Sequence, residues 1–188
     1  MIVITNSAAV INEINIIHSL FEHGLELLHV RKPNYSEAEM ASFLTAIESD
    51  FRNRLVLHNY HHLSNSFGIN RLHNPKTRNE NTNFIFSTST HSVIEFNALE
   101  NNYDYAFLSP VYPSISKQGY HSEIDLLESI KERTNFNTKL VALGGISTKN
   151  ISDTLQKGFD EVALLGSIWN STNPLENFKL CQQAVHLF

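Results

Sequence analysis

Arg31 and Lys32 follow directly on the strand read over residues 25–30, a place where the solvated cations of a helix face do not fall. Later, Gly144-Gly145 closes the unbroken apolar run 140–143, and Gly166-Ser167 closes the run 161–165. Between them lie Ser89, Ser109, Ser114, Ser116 and Lys117, a set without a carboxylate. Arg and Lys bind phosphate through charge-assisted hydrogen bonds, and hydroxyls and glycine amides complete such a cradle. The set therefore points to a substrate carrying one or more phosphate groups. Each residue also has a plainer reading: tight turns for the glycines, a helix cap for Ser89, a salt-bridge partner for Arg31.

These groups need a scaffold that brings strand ends together. Residues 2–4, 25–30, 54–58, 69–73, 84–90, 103–108, 139–143 and 161–165 read as strands, several of them short apolar runs buried on both faces. Helical periodicity occupies residues 11–21, with Gly24 closing it, and a helix capped by Ser36 and Glu39 runs through Ile47. Further helical stretches are expected up to Phe67, over 91–99 and 124–132, from about Thr148, as a short turn over 168–170, and over 175–185. The asparagine-rich stretch 74–83 reads as a loop where a fourth helix would stand. Strands alternating with helices predict a parallel sheet, and eight such units predict closure into a barrel, with a doubly wound open sheet as the alternative. In such a barrel, function gathers at the C-terminal strand ends, and the loops after strands seven and eight commonly hold a phosphate. The ends read here also carry His29, His58, Asn59, His73 and His91, with His73 open to the plainer reading of a hydrogen-bonded core histidine.

With 188 residues, 41% hydrophobic and 18% charged, the composition fits one domain with a sizeable core. A net charge of −5 without a dense basic run argues against nucleic acid as a partner. No apolar run is long enough to span a membrane, and residues 1–5 read as a strand, so the expected location is cytoplasmic. A homo-oligomer is compatible with this composition. The single cysteine, Cys181, reads as a buried spectator thiol. Ten histidines invite a metal, but His58, His61 and His62, the close group, lack a carboxylate or thiolate at ligand spacing, so no dedicated zinc site is expected.

In order along nearly the whole chain, the motifs resemble those of thiamine phosphate synthase and its relative, the thiazole tautomerase. His29-Val-Arg31-Lys32 is similar to the second-strand motif and His58-Asn59 to the third. Ser89-Thr-His91-Ser92 resembles the fifth, and Ser109-Pro-Val-Tyr-Pro-Ser114-Ile-Ser116-Lys117 the sixth. Residues 141–146 and 162–168 resemble the last two. The resemblance implies a compact (β/α)8 TIM barrel spanning 1–188 as one domain, its fourth helix short or absent. It further implies that hydroxymethylpyrimidine diphosphate is joined to thiazole phosphate with release of pyrophosphate. Arg31, Lys117 and Ser89 would act in catalysis, with Lys32, Asn59, Ser114 and Ser116 on the diphosphate. Gly144, Gly145, Gly166 and Ser167 would hold the thiazole phosphate. Mg²⁺ is the implied cofactor, with Asn59 where the family places one metal-binding aspartate and residues 76–78 where it places the other. A metal-free tautomerase is the first alternative, with His29, His58, His91 or His121 as acid–base. A non-catalytic regulatory protein that binds thiazole phosphate is the second.

Overall fold

The computed structural model describes residues 1–77, 83–100, 102–113 and 125–186. Eight parallel strands close into a barrel in sequence order: β1 (Ile2–Ile4), β2 (Leu27–Val30), β3 (Leu55–Leu57), β4 (Arg71–His73), β5 (Ile85–Thr90), β6 (Tyr105–Leu108), β7 (Lys139–Leu143) and β8 (Glu161–Leu164). The helices are α1 (Glu13–Glu22), α2 (Glu37–Ala46), α3 (Ser64–Phe67), α4 (Val93–Asn97), α5 (Leu126–Ser129), α6 (Ile151–Gln156), α7 (Gly166–Trp169) and α8 (Pro174–His186). No helix lies among the described residues between β4 and β5, and Ile130–Glu132 extends α5 as a tighter 3₁₀ turn. No described helix is long and apolar enough to cross a membrane.

Local chemistry fixes several boundaries. Ser36 Oγ accepts from the Glu39 amide while the Glu39 carboxylate accepts from the Ser36 amide, so both free donors at the start of α2 are satisfied. Helix α1 starts at Glu13, later than the apolar pattern implies, because Asn12 takes a left-handed φ of 59°. Gly24 ends the segment with φ 91°. Thr148 does not open α6, because Asn150 Oδ1 accepts from the Ser147 amide and holds a turn first. The turn expected over 168–170 begins earlier, as α7.

Period-two alternation divides the barrel's side chains into two sets. The outward set, including Val3, Leu28, Val30, Leu57, Leu108 and Leu140, joins the helices in the main core. The inward set splits into two sectors. One is apolar, with Ile2, Ile4, Val141 and Ala163 packed against Tyr105 and Phe107. The other, from β2 to β5, carries His29, His73, Ser87 and Ser89.

The seam joins β1 to β8 through the pairs Ile2–Ala163 and Val3–Leu164. Beside it, the buried indole N–H of Trp169 donates to the Ile4 carbonyl at 2.7 Å. Trp169→Phe removes that donor and leaves a buried carbonyl unpaired. A loss of about 1–3 kcal/mol is expected, measured by urea unfolding. Cys181 is buried on α8, and burial pushes its thiol up to about 11, in keeping with a spectator role.

Candidate functional site

The C-terminal strand ends open onto a cavity of about 420 Å³. Arg31 reaches it from the end of β2, with its backbone fixed by Thr5: the Arg31 amide donates to Thr5 Oγ1 at 2.9 Å, and Thr5 Oγ1 donates to the Arg31 carbonyl at 3.2 Å. Among the described residues no carboxylate pairs with Arg31, and none lines the cavity. A guanidinium at the mouth of a cavity free of carboxylates favours an anionic ligand.

Ser89, on β5, also lines the cavity, and its hydroxyl lies 3.0 Å from His73 Nε2. His91 lines it with a defined tautomer: Nδ1–H donates to the Ser109 carbonyl at 2.8 Å, so the neutral ring keeps a lone pair on Nε2. The opposite wall holds Gly144, Gly145 and Gly166. At the first two, the close approach of another backbone matters as much as any ligand. Gly144 and Gly145 have φ of 100° and 66°, and the segment from Pro110 to Pro113 lies on them. The Val111 amide donates to the Leu143 carbonyl at 2.9 Å, and the Tyr112 amide to that of Gly144 at 3.1 Å. Ser167 begins the next turn without lining the cavity, and its buried hydroxyl has no hydrogen-bond partner among the described residues.

Two expectations for the diphosphate side need correction. Lys32 is fully buried and points away from the cavity, with Nζ 2.6 Å from Glu13 Oε1 and 2.9 Å from the Ala8 carbonyl. Its ammonium also lies 5.4 Å from the ring of Tyr35 and 5.3 Å from that of Phe43. Alternation is the cause: with Arg31 facing inward, its neighbour must face the helices. Burial pushes the Lys32 ammonium down and the Glu13 carboxyl up, while each partner draws the other back. Asn59 does not line the cavity either. Its amide donates to the Lys32 carbonyl at 3.3 Å, and Oδ1 is buried without a partner. Lys117, Ser114, Ser116 and His121 lie outside the described residues.

Mg²⁺ prefers one or two carboxylates together with substrate phosphate oxygens. The described lining supplies no carboxylate, and Asn59, which is not among the lining residues, offers one neutral oxygen. These residues do not fit a magnesium ion held by the chain.

The histidines are arranged differently from the expectation. His61 Nε2 bonds the Leu57 carbonyl, and exposed His62 pairs with Glu37, so His58, His61 and His62 do not converge. Instead His29, His58 and His73, from three neighbouring strands, bring ring nitrogens within 4.8 Å of one another. His58 and His73 line the cavity, and fully buried His29 lies beneath it. Burial, and then repulsion from neighbouring histidines, His61 among them, and from Arg31 and Arg71, holds His29 and His58 well below the ordinary imidazole value and His73 at about 3. All three are neutral near pH 7, so neither His29 nor His58 acts as a cationic acid there. The strand parity carried the signal: Leu57 pairs with Leu72, which sets His58 and His73 level on adjacent strands.

A family profile described as thiamine monophosphate synthase matches residues 1–168. A thiamine-phosphate synthase of Dictyoglomus turgidum (strain DSM 6724 / Z-1310) is 33% identical over 95 residues, covering 50% of this chain and 43% of that protein. One from Prochlorococcus marinus (strain AS9601) is 34% identical over 95 residues, covering 50% of this chain and 26% of that protein. The chain thus spans less than half the length of the curated relatives it matches. A solved thiamine phosphate pyrophosphorylase from Bacteroides thetaiotaomicron superposes with a TM-score of 0.81 at 31% identity, covering 100% of this chain and 98% of that one. The fold is also shared by a thiamine phosphate pyrophosphorylase from Pyrococcus furiosus, with a TM-score of 0.79 at 18% identity, covering 99% and 95% of the two chains.

Proposed function

Because the chain belongs to the thiamine monophosphate synthase family, we propose that its barrel mouth joins hydroxymethylpyrimidine diphosphate to thiazole phosphate and releases pyrophosphate. The carrying observation is Arg31, which faces a cavity and, among the described residues, has no carboxylate paired with it or lining that cavity. In this reaction the carbon–oxygen bond to the diphosphate breaks, its electron pair leaves with pyrophosphate, and the thiazole nitrogen bonds the electron-poor methylene carbon. Negative charge grows on the leaving group. A cation whose backbone is held at the cavity by the Thr5 contacts stabilises that charge where it develops. The Ser89 hydroxyl adds a donor. On the far wall, the glycine backbone suits the thiazole phosphate, and Ser167, which follows the lining Gly166, is proposed for it from the resemblance. Lys117, Ser114 and Ser116 are proposed for the diphosphate from the resemblance alone.

The test is formation of thiamine phosphate by the purified chain from both substrates. Arg31→Ala is expected to lower kcat/KM by about 10²–10³-fold, with a far-UV spectrum matching the parent. Absence of product from the folded parent chain overturns the synthase reading.

His91 favours a second reading, the tautomerase. Its Nε2 lone pair lies at the cavity with the tautomer fixed by Ser109, which suits proton abstraction from a thiazole phosphate. Isomerisation of the thiazole carboxylate phosphate without synthase turnover, abolished in His91→Ala, would select it. Binding of thiazole phosphate without either turnover would select a regulatory binder.

A further inference from the structure

We propose that His29, His58 and His73 form a binding site for a zinc-like divalent metal ion at the floor of the cavity, with an open position toward it. The proposal does not depend on which reaction the mouth performs.

Three observations support it. The ligand atoms come from three consecutive strands of a closed barrel and lie within 4.8 Å of one another. Tetrahedral zinc with metal–nitrogen bonds of ~2.0–2.1 Å needs nitrogens about 3.3 Å apart. His29 Nδ1 and His58 Nε2 are already 2.8 Å apart. The longest separation in the set exceeds that spacing by at most about 1.5 Å.

The remaining ring nitrogens of His29 and His73 are anchored as those of metal-binding histidines usually are. His29 Nε2 contacts the Tyr105 hydroxyl at 2.5 Å, and His73 Nδ1 contacts the Ser87 hydroxyl at 2.9 Å. These contacts fix ring orientation from behind and leave His29 Nδ1 turned to the cluster.

The donor set is also selective. Neutral imidazole suits zinc and other late first-row ions, whereas magnesium wants hard oxygens. No described carboxylate joins the cluster. Three histidines with a free fourth position are the arrangement of catalytic zinc sites, in which a water or substrate oxygen completes the shell. Here that position adjoins Ser89 and Arg31. Arg31 and Arg71 oppose a cation, so the site should favour an ion accompanied by an anionic ligand.

The test uses the full chain, freed of any histidine tag, titrated with Co²⁺ and followed by its visible absorption, then with Zn²⁺ in competition. The expected result is a four-coordinate Co²⁺ spectrum that saturates at one equivalent and is abolished by Zn²⁺. His58→Gln, which keeps much of the volume and polarity, should lose the saturable spectrum, as should His73→Ala. Tyr105→Phe should bind about 10-fold more weakly. His62→Ala, on the surface, should leave the titration unchanged. The proposal is overturned by the absence of saturable binding to the parent chain. It is equally overturned if folded His58→Gln keeps the spectrum, or if His62→Ala abolishes it.

Discussion

Replacing Lys32 by methionine is expected to cost about 3–5 kcal/mol of folding stability, read as a lower urea midpoint. The cost comes from Glu13 more than from the lost attraction. Glu13 is only 6% exposed, and its two carboxylate oxygens lie 2.6 and 2.7 Å from the Lys32 ammonium. Without that cation the carboxylate is left beside Tyr35 and Phe43, with little beyond the Val10 amide to satisfy it. The double variant Glu13→Leu/Lys32→Met should recover most of the loss, since a well-packed apolar pair often matches a buried ion pair. Acid should partly rescue the single variant. Burial raises the folded carboxyl above its ordinary value of 4.5, so the folded state binds more protons than the unfolded chain. The loss is therefore greatest above the raised value and shrinks as pH falls toward 4.5. A single variant as stable as the parent at neutral pH would refute this account.

Gly145→Ala is expected to cost about 2–5 kcal/mol, as the sum of left-handed strain and overpacking. A Cβ there would lie 2.5 Å from the Pro113 carbonyl oxygen and 2.6 Å from Tyr112 Cβ, and the glycine's φ is 66°. Gly68→Ala provides the comparison: φ is 67°, but no atom lies within 4 Å of the added methyl. It should lose only about 1–2 kcal/mol, so the difference between the variants isolates the clash. Relief of that clash requires the segment from Pro110 to Pro113 to move off the glycines, which opens one wall of the cavity. Affinity for thiazole phosphate should fall with stability in Gly145→Ala and stay near the parent's in Gly68→Ala. Equal stability losses would show that contact with the neighbouring segment contributes nothing.

The strands were legible because parallel strands covered on both faces leave continuous apolar runs, as at 140–143. The helix start at Ser36 was legible because its hydrogen bonds are made within four residues. Side-chain direction was harder. Arg31 and Lys32 look alike as neighbouring cations, yet one faces the cavity and the other Glu13. The partner lies 19 positions away, so no local pattern announces it. The same blindness affected the histidines. His61 and His62, close to His58 in sequence, turn to the Leu57 carbonyl and to Glu37, while His29, His58 and His73 meet because strand register sets them there. Gly144 and Gly145 line the cavity at the end of their apolar run. Their contact with Pro110, Tyr112 and Pro113 depends on how two loops cross, which the apolar pattern does not encode.

The seam between β1 and β8 has a consequence for synthesis. Trp169 and Ile4, joined by its indole hydrogen bond, stand 165 positions apart. Until β8 leaves the ribosome, β1 lacks one of its two neighbours and its open edge can pair with other strands. Native closure is thus a late event made by contacts of the longest range, which slows folding and prolongs exposure of that edge. A nascent chain halted before residue 161 should need a chaperone for as long as it is held. Once released with β8, it should close as one cooperative unit.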